Sequence, residues 1–384
     1  TDMVTGVRKD FMLMLLRLRI LFLAFAAIRN PVEVFRSIRH LGLMIKRYVG
    51  SQPLIKGFSA SGRYFQFNNV PGFPSKAFDT FHREEFKLLQ PSAPGTKTLR
   101  SVILALTNKC PLKCEHCYEI ELLNRQERLS LDMLKAIVSE LQRNGVTQIY
   151  LSGGEPLARF SDLLELLRTS RKGTDFWLVT SGTKLTMEKA LQLKRTKRLT
   201  GVCVSLDHYL PQQHNAFRNR SYSYTDAVEA VQNSLKAGLA TGMAICTTKS
   251  FVSWSNLMNY AELAKSLGAH FIQLQEPYPV GGFAGKGVML SQEQTRLLEQ
   301  FYKEMNCNKK FRNYPLVVLH SYHQRRIGCF GGSRYFYIDS DGNFHSCPYC
   351  RGRVGNIFEG SLEEYIRNME PSCLSFSSAH FHHT

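Results

Sequence analysis

From Ser101 onward the sequence alternates short β-branched or apolar runs with longer amphipathic ones, and it does so six times. Such alternation marks strand-helix-strand units whose strands lie parallel in one sheet. The short runs are SVILALT, TQIYL, DFWLVT, GVCVSL, MAICTT and HFIQLQ. After the first comes SLDMLKAIVSELQRNG, where Ser130 is placed to cap a helix, Leu131, Leu134, Val138 and Leu141 share a face, and Gly145 stops it. SDLLELLR, TDAVEAVQNSLKAG and NLMNYAELAKSLG repeat the helical pattern. Six units predict an α/β fold, a partial (β/α)6 TIM-like barrel over 101–290, with active residues at the C-terminal ends of the strands. A further helix near 291–305 leads to RYFYIDSDGNFHSC, a hairpin turning on Asp341 and Gly342, so 291–384 reads as a helix plus a small C-terminal module.

The first fifty residues have another character. FMLMLLRLRILFLAFAAI (11–28) is apolar almost all round, yet Arg17 and Arg19 interrupt it. A spanning helix wants ~20 apolar residues free of central charge. The next segment has Val34, Phe35, Ile38, Leu41 and Ile45 at helical spacing, and residues 1–50 hold nine basic against three acidic side chains. Two readings of this helical extension fit: a basic amphipathic element lying on an anionic membrane surface, and a hairpin packed on the protein itself. Residues 51–100, rich in Pro, Gly and Ser, read as a linker. The whole chain carries a formal charge of +18, which favours phosphates, acidic lipid headgroups, nucleic acid or an acidic peptide. A hydrophobic content of 43% excludes a disordered tail and a polytopic membrane protein. Ten cysteines in 384 residues are too sparse for a secreted disulfide scaffold, and no signal-peptide pattern is visible. The thiols are therefore read as reduced and the chain as cytoplasmic, with a peripheral place at the inner face of the membrane.

Chemistry is concentrated after the first run, in TNKCPLKCEHCYE, where Cys110, Cys114 and Cys117 are spaced by three and then two residues. Three thiolates on one tight loop can each hold a corner iron of a [4Fe-4S] cube and leave the fourth iron open to a chelating molecule. A zinc site completed by His116 or by a remote ligand has the same spacing. At the end of the second run stands LSGGEP, in which Gly153 and Gly154 let backbone groups approach a ligand. Cys329, Cys347, Cys350 and Cys373 gather late and suit either a second cluster or a structural zinc. Cys203 and Cys246 fall in predicted strands and Cys307 follows a helix, so these three read as packing thiols. PYPVGGFAGKG (277–287) is a Gly-rich loop at the expected mouth, read as a plain connection or as a substrate contact, and Gln273 and Gln275 precede it.

With the CX3CX2C loop, the GGEP motif and the order of strands in place, the chain resembles a radical S-adenosylmethionine enzyme over roughly residues 100–290. The late run GCFGGSRYFYIDSDGNFHSCPYC resembles the auxiliary-cluster modules called SPASM or twitch, with too few cysteines for two full auxiliary clusters. The resemblance implies that Cys110, Cys114 and Cys117 hold a [4Fe-4S] cluster with one open iron, on which S-adenosylmethionine is chelated and reductively cleaved to a 5'-deoxyadenosyl radical. It places His116 near the adenine, Gly153, Gly154 and Glu155 at the methionyl amino group, mainly through backbone, and Tyr118, Ser181, Ser205, Asp207 and Arg218 around the cofactor. It assigns Cys329, Cys347, Cys350 and Cys373 to a second [4Fe-4S] cluster. A peptide or protein side chain is the implied substrate, and a low-potential donor such as flavodoxin or ferredoxin supplies electrons. A lipid or other membrane-associated small molecule is the alternative substrate that the N-terminal segment brings in. A nucleic-acid-modifying or binding role, raised by the charge, lacks any recognisable RNA-binding module.

Overall fold

The structure is a computed structural model that describes residues 2–28, 30–50, 52–88 and 99–368. Strand β1 (Met3–Thr5) leads into helices α1 (Gly6–Ala27) and α2 (Pro31–Val49). The second starts where Asn30 accepts a hydrogen bond from Val32 N–H and Pro31 fixes the first turn. The stretch read as a linker contains β2 (Lys56–Ala60), β3 (Arg63–Phe65) and α3 (Lys76–Leu88), and β1, β2 and β3 pair antiparallel. Helices α1, α2 and α3 share a small core of Leu23, Ala24, Ile28, Val34, Phe78 and Phe86. Not all of the face anticipated on α2 turns inward: Phe35 and Ile45 are 63% and 49% exposed. Adjacent positions on a helix are 100° apart, and Val34, Ile38 and Leu41 suffice to fill the contact.

The six anticipated runs form β4 (Ser101–Ala105), β5 (Gln148–Ser152), β6 (Asp175–Thr180), β7 (Leu199–Ser205), β8 (Ala240–Cys246) and β9 (Phe271–Gln275). Each pairs in parallel with the next. Helices α4 (Leu131–Arg143), α5 (Phe160–Thr169), α6 (Met187–Arg195), α7 (Pro211–Arg218), α8 (Ser223–Lys236) and α9 (Trp254–Leu267) connect them. Ser130 caps α4 by accepting the Met133 N–H at 3.2 Å, and Gly145, at φ +77°, follows its end. Helix α10 (Gln292–Cys307) opens on a capping box at Ser291. The sheet goes further than the sequence pattern. A short strand, β10 (Leu316–Leu319), adds in parallel to β9 and leads into α11 (His320–Ile327). On the other flank β11 (Tyr335–Ile338) adds in parallel to β4. Strands β12 (Asn343–Cys347) and β13 (Cys350–Asn356) then continue it antiparallel. The result is an open ten-stranded sheet in the order β10-β9-β8-β7-β6-β5-β4-β11-β12-β13.

Alternate residues on each strand face opposite sides. One side, with Val102, Ile149, Leu178, Val202, Met243 and Ile272, packs under the helices as the main core. The other faces the hollow of the curved sheet, where Trp177, Cys203, Ala240, Phe271 and Leu316 enclose Phe58 and Phe65. Strands β2 and β3 thus plug the hollow from the side where the strands begin. Arg63 pairs there with Asp175 at 2.6 Å, and Lys56 donates to the carbonyls of Phe311 and Tyr314 at 3.0 and 2.9 Å. The opposite end, where the strands finish, is left for the cysteine loop.

Candidate active site

The loop after β4 is held by its backbone before any metal is considered. Asn124 clamps Cys110 twice, accepting from its N–H and donating to its carbonyl, both at 3.1 Å. Glu115 N–H donates to Phe217 C=O at the end of α7 at 3.0 Å. Gly154 N–H and Glu155 N–H donate to the carbonyls of Thr107 and Lys109 at 2.7 and 2.8 Å. This contact explains the glycine pair. A Cβ on Gly153 would strike the Thr107 carbonyl, and one on Gly154 would stand 2.6 Å from that of Lys109. The glycines therefore admit the neighbouring cysteine loop. Gly281 and Gly282, in the Gly-rich loop after β9, do the same from the far side: Gly282 N–H donates to Cys117 C=O at 2.9 Å, and a Cβ on Gly281 would lie 2.6 Å from Tyr118 Cα.

The side chains of Cys110, Cys114 and Cys117 are close enough to feel one another's charge. Burial pushes the Cys110 thiol up to about 12 and the Cys117 thiol up to about 11, so both are neutral until a cation or metal ionises them. Burial raises Cys114 too, but here the Arg218 guanidinium opposes it, with Nη1 3.5 Å from the sulfur. Arg218 is itself fixed by Asp207 at 2.5 Å, and Asp207 accepts the Cys246 N–H at 2.9 Å through its other oxygen. Burial alone would lift the Asp207 pKa, but Arg218 holds it below the usual carboxylate range. Among the described residues no three Cys, His, Asp or Glu side chains converge on a single metal ion.

His116 stacks on Phe217 at 4.8 Å, and Phe283 stands 6.3 and 6.4 Å from the two rings, so the three form a triangle. Burial drops its pKa to about 4, and its Nδ1 is buried without a hydrogen-bond partner. A neutral imidazole with one unsatisfied nitrogen fits a site made for a heteroaromatic ligand. Glu155 points elsewhere. Its carboxylate accepts Thr180 Oγ1 at 2.6 Å, Ser181 N–H at 2.8 Å and Ser181 Oγ at 2.5 Å, tying the end of β5 to the end of β6. Ser205 closes β7 on the face that Cys203 presents to the hollow.

Tyr118 turns toward the C-terminal strands, edge-on to Tyr337 at 5.8 Å and to Tyr349 at 6.2 Å. Its neighbour Glu119, buried, forms an ion pair with Arg351. In the C-terminal strands Cys347 and Cys350 are register partners across a tight turn, with Cys350 N–H donating to Cys347 Sγ at 3.2 Å. Gly331 sits between Cys329 and Cys347, where a Cβ would lie 3.4 Å from the Sγ of the first and the Cβ of the second. Cys329 and Cys347 come together as free thiols, whereas Cys350, expected to be reduced, is held in a disulfide; Cys373 lies outside the described residues.

Sequence reasoning missed Asn124, Phe217, Phe283, Tyr349 and the place of Cys246 beside Asp207. Phe217, which precedes Arg218, Phe283, inside the Gly-rich loop, and Tyr349, between two cysteines, stood near motifs that the sequence already marked.

The fold and the site can be set beside known proteins. A family model described as the radical SAM superfamily matches residues 104–261, and one for SPASM, an iron-sulfur cluster-binding domain, matches residues 329–381. The chain is 28% identical over 300 residues to an AdoMet-dependent heme synthase of Methanosarcina barkeri, covering 72% of this chain and 84% of that protein. It is 33% identical over 183 residues to a PqqA peptide cyclase of Streptomyces rochei, covering 47% of this chain and 49% of the relative. It thus spans about half the length of that cyclase. Among solved structures, SuiB of Streptococcus suis bound to precursor peptide SuiA aligns with a TM-score of 0.59 at 15% identity, over 79% of this chain and 73% of that one. At such identity the likeness is one of fold.

Proposed function

Because the chain belongs to the radical S-adenosylmethionine superfamily and carries a SPASM module, we propose that this enzyme abstracts hydrogen from a carbon of a peptide or protein substrate. When bound, a [4Fe-4S] cluster and S-adenosylmethionine supply the electron and the carbon radical, chemistry beyond any side chain. The protein's own groups hold and shield. Cys110, Cys114 and Cys117 would ligate the cluster, and Arg218 would offset thiolate charge at Cys114. Asp207 keeps Arg218 in place. His116, beside Phe217 and Phe283, would present its ring to the adenine and its free nitrogen to a donor on it. Gly153 and Gly154 would line the methionyl end by backbone, with Glu155 and Ser181 stiffening the strand ends beneath, Ser205 facing the hollow and Tyr118 walling the side toward the C-terminal strands. Once the disulfide of Cys350 is reduced, Cys329, Cys347, Cys350 and Cys373 would hold a single auxiliary [4Fe-4S] cluster, as in a twitch-like module. A flavodoxin or ferredoxin would deliver electrons.

The observation that carries the reading is the three-thiol loop seated at the strand ends with a buried arginine against one of its sulfurs. The peptide class is supported by the likeness to a peptide cyclase and by a fold shared with a protein bound to a precursor peptide. A second reading, a small apolar substrate such as a tetrapyrrole or a lipid, is favoured by the heme synthase, which matches over more of its length. The anaerobically reconstituted enzyme, given reductant and a deuterated short peptide encoded beside it, should place deuterium in 5'-deoxyadenosine. Cys114→Ala should form no 5'-deoxyadenosine. Deuterium transferred only from a tetrapyrrole or lipid would reject the peptide and keep the class; an active Cys114→Ala would reject the ligand assignment.

A further inference from the structure

We propose that the outer face of the α1–α2 hairpin is a docking surface for an anionic lipid bilayer. A helix that only packs on its own protein needs one apolar stripe. Helix α1 has two. The inner one, with Leu16, Ile20, Leu23 and Ala24, is spent against α2 and α3. The outer one, Phe11, Met14, Leu18, Phe22 and Phe25, recurs at steps of three and four residues and stays 41–59% exposed. Phe25 rests edge-on against Phe35 of α2, with 6.2 Å between centroids, so the strip runs on to Phe35 and Val32, which are 63% and 65% exposed. Contiguous large apolar side chains at a monomer's surface mark a place where something else binds.

The charged border selects the occupant. At 100° per residue, Arg8 and Arg17 fall on the two sides of the α1 strip, with Asp10, paired to Lys9 at 3.5 Å, beside Arg17, while Arg39 and Lys46 continue the α2 face of Phe35, Val32 and Leu43. Arg8, Arg17, Arg39 and Lys46 are all exposed, and none has an acidic partner among the described residues. Two copies of this face would set like charges together, which disfavours a symmetric dimer. An anionic headgroup layer satisfies both parts at once, because acyl chains take the phenyl and leucyl groups while phosphates take the basic ones. No described helix is long and apolar enough to cross a membrane, so the hairpin lies on the bilayer. It is also fixed to the body of the enzyme, by Arg19 to Asp79 at 2.5 Å and by His323 Nδ1–H donating to Tyr48 C=O at 2.8 Å. The enzyme would therefore sit on the membrane in one orientation, whichever substrate class holds.

The test is flotation of the full chain with vesicles of phosphatidylcholine alone and of phosphatidylcholine mixed with phosphatidylglycerol. Binding should need the anionic lipid and weaken as salt rises. Leu18→Glu/Phe22→Glu should cut the bound fraction about tenfold or more, and Arg39→Glu/Lys46→Glu should cut it chiefly at low salt, both with unchanged circular dichroism. Phe22→Trp should show a blue-shifted emission when anionic vesicles are added. No binding by the parent chain, equal binding to neutral vesicles, or a dimer that Leu18→Glu/Phe22→Glu turns into a monomer without any lipid binding would each overturn the proposal.

Discussion

At Gly281 a methyl group would meet the backbone of Tyr118 at 2.6 Å while the residue holds φ +56°, so an alanine there faces both overlap and left-handed strain. Gly281→Ala is expected to cost about 2 kcal/mol or more. It should also lower the iron bound per chain after reconstitution, because the displaced backbone is that of the cysteine loop. Gly285→Ala is the control: φ is +73° with nothing within 4 Å, so it should cost only about 1 kcal/mol and leave iron loading alone. Denaturation midpoints and iron assays on the two variants check this. At this scale the sequence spoke through chain-adjacent groups. Cys110, Cys114 and Cys117 were legible because their spacing is itself the signal. The further neighbours of Gly153 and Glu155 were not, because the cysteine loop and the end of β6 that they meet are brought to them from elsewhere in the sequence. The space beside a residue is filled by whichever loop the fold brings there, and Glu155 spends its carboxylate on Thr180 and Ser181.

Among the elements, the six long strand-and-helix repeats were readable because each has its own apolar period and its own caps, as Ser130 and Ser291 show. Strands β10 and β11, of four residues each, have too few positions for a period to appear. Their pairing partners lie far away in sequence, across α10 for one and on the opposite flank for the other. The strand pair at Lys56–Ala60 and Arg63–Phe65 was hidden by surrounding Pro, Gly and Ser, which gave the stretch the look of a connection. Lys56 makes this element testable. Burial lowers its pKa to about 7, against about 10.4 for an unfolded chain. Between those values the unfolded state keeps a proton that the folded state has lost, so stability rises with pH from about 7 to about 10, by at most about 1.4 kcal/mol per pH unit. The rise should appear as the difference between the parent chain and Lys56→Met in thermal unfolding, a comparison that cancels the buried thiols, whose raised pKa values pull stability down in both chains above about pH 8.5.

For the whole molecule, the C-terminal cysteine stretch was read as a second, smaller module, and its first strand adds to the central sheet. Phe336, Ile338 and Phe344 are buried in the same core as the barrel helices. Arg334 reaches Glu85 on α3, which also holds Arg100 at the foot of β4. Truncation after Gly328 is therefore expected to leave no folded barrel, because it bares the edge of β4 and removes part of the core. Soluble expression and circular dichroism of the shortened chain would check this; a cooperatively folding product would contradict it. Strand β4 ends in the loop of Cys110, Cys114 and Cys117 and is flanked by the strand that leads to Cys347 and Cys350. The gap between the two sulfur-rich sites is thus ruled by the rungs of one ladder, as fixed as the spacing of teeth on a comb. A substitution that slips β11 along β4 would therefore disturb both places together, and no change at one of them could be made without being felt at the other.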